Sequence, residues 1–183
     1  MSSSRLLPVL ALSLLPAAPL AGQSPPAVEP APWIVSDSAA RTVTLTLEVT
    51  APPGAPSALL NGYREGGAQV VVPLGWTVRW DWRSADSAGR HSLVVMAERE
   101  KLPTEGGRPA FTNALSRSVT AGLAAGEADH TTFVAEEQGW YWLLCGVPGH
   151  ALVGEWIGLR VDPEASAAGV KLKAAAPPPA PSR

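Results

Sequence analysis

Cys145 is the single cysteine of the chain, and His150 follows it across Gly146-Val147-Pro148-Gly149. A thiolate is a soft metal ligand and an imidazole a borderline one. Two glycines and a proline let the chain fold back sharply, so sulfur and imidazole can converge on one point. A second imidazole, His91, stands just ahead of the apolar run Leu93-Val94-Val95 and after the turn-forming segment Ser84 to Arg90. A His, Cys, His set gives trigonal coordination with one soft donor. That suits an electron-transfer copper site, and zinc would accept the same ligands. The plain alternative is an inert buried thiol, because free cysteine packs as a small hydrophobe.

Composition limits what else the chain can carry. One cysteine forbids an internal disulfide, a four-cysteine zinc site and a two-cysteine redox pair. Three histidines are too few for a multi-centre copper oxidase. A net charge of −2, with only 16% charged residues, gives no electrostatic case for binding nucleic acid or an acidic membrane surface. With 46% hydrophobic residues in 183, the chain can bury a substantial core.

The two ends read differently from the middle. Arg5 precedes an apolar run from Leu6 to Ala21, so residues 1–22 read as a secretory signal or an N-terminal anchor. Pro8, Pro16 and Pro19 interrupt that run, which is also shorter than the ~20 residues of a membrane span. No cysteine follows it to accept a lipid. Residues 23–32 have the composition of a proline-rich linker, and residues 163–183 that of a disordered Ala/Pro-rich tail. One folded unit, 33–162, remains.

Its pattern is that of strands. Val43, Leu45, Leu47 and Val49 alternate with threonines and Glu48. Val78, Trp80 and Trp82 alternate with Thr77, Arg79 and Asp81, and Ile157, Leu159 and Val161 with Gly158, Arg160 and Asp162. Val70 to Val72, Leu93 to Val95 and Trp140 to Cys145 read as further short strands between Gly- and Pro-rich turns. The sum is an all-β, two-sheet sandwich or barrel. Residues 97–129, rich in Gly, Ala and Ser, read as a long crossing loop with a helical turn.

Four stretches carry a resemblance to a known family. They are Leu60-Asn61-Gly62-Tyr63 with Gly66-Gly67; Val72-Pro73-Leu74-Gly75-Trp76-Thr77-Val78; Arg90-His91-Ser92-Leu93; and Cys145-Gly-Val-Pro-Gly-His150 with Gly154-Glu155-Trp156. With these the chain resembles a cupredoxin, most closely the sulfocyanin branch, over residues 42–161. The resemblance implies a Greek-key β-sandwich holding one copper ion, with His91, Cys145 and His150 as equatorial ligands. It further implies an exported protein, periplasmic or extracellular, that carries single electrons between partners such as a cytochrome or a terminal oxidase component. Such a protein is expected to be a monomer and not an enzyme. A copper enzyme or sensor for small molecules such as nitric oxide, or a copper delivery or storage protein, is the alternative.

The sequence departs from the family pattern at two places. The axial position, where the family has methionine, holds Glu155. Met96 lies at strand parity opposite to Leu93 and Val95, so it cannot stand in. Trp82 stands where cupredoxins usually place an asparagine that ties the ligand loops, which leaves Ser92 or backbone amides to do so. His130 reads as solvent-facing and the tryptophans at 76, 80, 82, 140, 142 and 156 chiefly as core. Val147, Pro148, Ala151, Leu152 and Val153 surround His150 with apolar surface suited to docking a partner, or simply to packing their own loop.

Two readings of Glu155 stand: protonated or turned away, it leaves the copper effectively three-coordinate with a higher potential; bound to the metal or close to it, its carboxylate favours Cu(II). An interaction of ~4 kcal/mol corresponds to a potential lowered by roughly 170 mV. Glu155→Met is therefore expected to raise the potential measured by voltammetry. An unchanged potential and spectrum would make Glu155 a bystander.

Overall fold

The computed structural model describes residues 27–99 and 101–173. Residues 1–22, read above as a signal or anchor, lie outside the described residues. Ten strands form two five-stranded sheets. β1 (Ile34–Asp37), β2 (Thr42–Thr50), β5 (Thr77–Ser84) and β7 (Ala128–Val134) lie in that order in the first, with β3 (Leu59–Leu60) also paired to β2. The second runs β10 (Gly169–Leu172), β4 (Ala68–Pro73), β9 (Trp156–Asp162), β8 (Gly139–Leu144) and β6 (Val94–Ala97). Both sheets are mixed, since β2 pairs parallel with β5 and β4 with β9, while their other pairings are antiparallel. The fold is all-β, and a short 3₁₀ turn at Ala151–Val153 is the one helical element among the described residues.

Alternation decides which faces meet. In β2 and β5 every second side chain is buried, and the parallel register sets Val43 beside Val78, Leu45 beside Trp80 and Leu47 beside Trp82. Leu143 of β8 and Ile157, Leu159 and Val161 of β9 face them from the second sheet. Phe133 of β7 closes the core edge-on to Trp80, with ring centroids 5.5 Å apart. Packing two twisted sheets through alternate residues is the ordinary way such a sandwich builds its interior.

The segment between β6 and β7 is largely irregular; its described residues form no assigned helix, but Gly122 N–H donates to Ser118 O at 2.7 Å and closes a single helical turn, as expected. The backbone of β6 also pairs with the segment. Ala110 N–H donates to Val95 O, Val95 N–H to Ala114 O, and Ser116 N–H to Leu93 O. These bonds to an edge strand hold the segment extended around residues 110–116. It covers the outer face of the second sheet, where Leu102, Leu115 and Val119 pack on Val94, Trp142 and Leu144. Met96 belongs to this outer cluster as well.

Two boundaries need correction. The chain beyond 162 is not wholly a tail, because Gly169–Leu172 forms β10 and pairs with Val71 to Ala68 of β4. Val170 reaches the core there, and the open edge of β4 supplied the unpaired amides that recruit it. Nor is 23–32 wholly linker, since Glu29 bridges Val170 through two backbone hydrogen bonds of 2.8 Å. The expectation that the tryptophans are core holds for 76, 80, 82 and 142. Trp140 is 50% exposed, with the Arg160 guanidinium 4.4 Å above its ring.

If β10 is part of the fold, Val170→Ala removes buried methyl groups and destabilises by about 2 kcal/mol in urea unfolding. A substitution in a tail would leave the midpoint where it was.

Candidate metal centre

One end of the sandwich gathers the ionisable side chains. β8 ends at Leu144 opposite Trp156, where β9 begins, so Cys145 and Glu155 are forced side by side. Cys145 N–H donates to Glu155 O at 3.0 Å and Glu155 N–H to His150 O at 3.1 Å. These bonds close the 145–155 loop upon itself. Gly149 takes φ +84° within it, a conformation that costs glycine little and other residues more. His91 arrives from the other side, ahead of β6, and exchanges backbone hydrogen bonds with Leu123.

The three residues expected as ligands, and Glu155, come together. Their donor atoms all lie within 4.8 Å of one another. Cys145 Sγ is 3.5 Å from His150 Nδ1 and 4.0 Å from His91 Nδ1. Glu155 Oε2 is 2.9 Å from His150 Nδ1 and 3.0 Å from His91 Nδ1. Metal–nitrogen, metal–oxygen and metal–sulfur bonds of about 2.0–2.3 Å place donors roughly 3–4 Å apart, so these residues fit a single ion. A sulfur, two imidazoles and a carboxylate oxygen are donors for copper or zinc. His130, by contrast, is exposed on β7, as its sequence context suggests.

Burial and mutual attraction together set the charges. Burial disfavours the charged form of His91, but its hydrogen bonds with Cys145, Glu155 and Asp86 outweigh this and push its pKa up to about 10. Burial also raises the Cys145 thiol and the Glu155 carboxyl, yet the adjacent imidazoles bring both below their ordinary values. His150 is raised, chiefly by its hydrogen bond with Cys145. The acids and imidazoles of the pocket thus favour one another's charged forms, and a metal ion would take the place of the imidazole protons.

The surrounding residues hold this geometry. Ser92 N–H points at Cys145 Sγ from 3.4 Å. Its hydroxyl accepts from Gly146 N–H at 2.9 Å and donates to Val119 O at 2.5 Å. Ser92 therefore ties the His91 strand to the Cys145 loop and the crossing segment, the task that Trp82, a core residue, does not perform. Gly146 is needed for this closeness, because a Cβ there would lie 2.6 Å from Val119 Cγ2. Ala58 N–H donates to Glu155 Oε1 at 3.3 Å, which leaves Oε2 turned to the histidines. Sequence reasoning missed Asp86, whose Oδ2 lies 2.8 Å from His91 Nε2. Its signal was present in the parity that puts Val78, Trp80, Trp82 and Ser84 inside, which continues to Asp86.

A sequence profile of the Sulfocyanin (SoxE) domain family matches residues 31–169. The chain belongs to the sulfocyanin family. Sulfocyanins are cupredoxins, a group that binds copper, and the donor set described above is a plausible copper site. Among solved structures, the chain is similar to an auracyanin from the photosynthetic bacterium Roseiflexus castenholzii, at 22% identity over 64% of this chain and 97% of that one, with a TM-score of 0.44. Rusticyanin from Thiobacillus ferrooxidans is similar at 22% identity over 67% and 82%, with a TM-score of 0.41. Auracyanin B gives 24% over 64% and 88%, with 0.45. No curated protein matches the chain.

Ser92→Ala leaves the buried Gly146 N–H without its acceptor. A loss of about 1–3 kcal/mol is expected in chemical unfolding of this sulfocyanin-family protein, against no change if the serine were incidental.

Proposed function

We propose that this protein is an exported single-electron carrier in which His91, Cys145, His150 and Glu155 hold one copper ion. The observation that carries the reading is the convergence of these four donors at one end of the sandwich. Copper, when bound, supplies the one-electron couple between Cu(I) and Cu(II). The Cys145 thiolate favours the reduced ion, the imidazoles serve both states, and the Glu155 carboxylate favours the oxidised one. Because the loop and Ser92 hold the donors in place, little rearrangement accompanies the change of charge.

Room and exposure argue for a carrier over an enzyme. The cavity beside Cys145 and Glu155 measures only ≈ 10 Å³, about the least that admits one water molecule. His91 is sealed at 2% exposure, whereas the His150 side chain is 28% exposed. Leu152 and Val153 flank it at 55% and 53%. An apolar surface around one accessible imidazole edge suits brief docking of a redox protein, such as a cytochrome or a terminal oxidase component. Export to the periplasm or the extracellular face of the membrane, retention on an N-terminal anchor and a monomeric state rest on the sequence and belong to the same proposal.

Loading with copper(II) is expected to give an intense blue, thiolate-derived absorption that bleaches and returns over reversible reduction. Cys145→Ser should abolish it. Zinc retention without a coloured copper form would overturn the reading, and weak absorption with an exchangeable water would favour small-molecule chemistry.

A further inference from the structure

The metal centre described above accounts for one nitrogen of His91 and leaves the other to be explained. Nε2 faces away from Cys145 and Glu155 and meets Asp86 Oδ2 at 2.8 Å. Both partners are buried, His91 at 2% and Asp86 at 8% exposure. The second oxygen of Asp86 is also engaged, because Ala88 N–H donates to Oδ1 at 2.8 Å. The carboxylate is therefore fixed by its own turn and aimed at the imidazole. The backbone closes over the contact at Gly89, where a Cβ would lie 2.5 Å from Asp86 Oδ2 and 2.7 Å from His91 Nε2.

We propose that Asp86 is the positioning residue of the metal centre, its carboxylate taking the Nε2–H of His91 so that the imidazole can offer only Nδ1 to a metal. An imidazole has two nitrogens, and the one that is protonated is set by the hydrogen bond it makes. A carboxylate in that place also raises the basicity of the ligating nitrogen. Ser92 and the Leu123 backbone fix where His91 stands in the chain; Asp86 fixes which way its ring faces. Asp86 further adds a negative charge next to the ligand set, beyond those of Cys145 and Glu155. That charge weights the site toward the more highly charged ion. The absence of a side chain at Gly89 keeps the pair short and dry.

The proposal rests on the site's binding a metal but not on that metal being copper, so zinc serves as the first probe. Asp86→Ala is expected to lower zinc affinity about 10–100-fold in competition with a chelator. Gly89→Ala leaves the charge in place and crowds the carboxylate and the imidazole apart. It should show a loss of similar size. In metal-free protein, proton–nitrogen NMR should find a slowly exchanging His91 Nε2–H that disappears in both variants. In copper-loaded protein, Asp86→Asn should shift the ratio of Cu(I) to Cu(II) affinity about tenfold toward Cu(I), equivalent to about 59 mV.

A structural role for Asp86 would lower the melting temperature and leave the folded protein's zinc affinity within twofold, and that result overturns the proposal. So does a wild-type His91 with no protected Nε2–H. Zinc binding that depends on Asp86 without a blue copper form would sink the electron-carrier reading alone. A wild-type chain that takes up neither metal would sink both.

Discussion

Five ionisable groups, Asp86, His91, Cys145, His150 and Glu155, are packed into one end of an otherwise apolar sandwich, and they are tolerable there only because they face one another. A single buried carboxylate or imidazolium would cost several kcal/mol. Here each anion lies against a cation, and backbone amides take up oxygens left over. Everything around the pole serves this arrangement. The 145–155 loop is closed by its own hydrogen bonds, Ser92 joins it to the strand bearing His91, and Ala58 and Ala88 steady the two carboxylates. The sheets supply the rigid frame, since β8 and β9 are hydrogen-bonded up to the residues that flank Cys145 and Glu155.

Replacing a family methionine by Glu155 changes what the pocket must do. A thioether asks nothing of its surroundings, while a carboxylate must be desolvated and satisfied. The chain meets this with two imidazoles and one amide around the group. The same substitution brings a carboxylate to within contact of both histidines, so pole electrostatics join the soft donor in deciding which ion the pocket would favour.

Strand alternation made much of this readable beforehand. The period-two patterns at 42–50, 77–84 and 156–162 name their own buried faces, and the tight Cys145-to-His150 loop announces that a thiol and an imidazole converge. Local composition misled where the deciding contact was distant. Gly169–Leu172 looks like tail until β4 offers an unpaired edge, and nothing local in residues 97–129 announces that Ala110 and Ser116 will pair with β6. Asp86 was legible as an inward-facing position by parity, but its type said nothing of its partner. Its meaning comes from His91, which a bend of the chain brings back onto it.

The pairing of β10 carries a consequence for how the molecule can be held. β4 and β9 run parallel, and β10 runs against them, so it travels toward the end where Trp156 and Glu155 lie. Lys173 N–H reaches Gly67 O there, next to the Gly66 that bonds Trp156 O. Glu29 meets Val170 antiparallel, so the chain leading into it comes from that same end. Both ends of the described unit therefore leave at the pole that holds Trp156 and Glu155 and not at the opposite one. A tether at either end would hold that pole, rather than the other, toward whatever it joins.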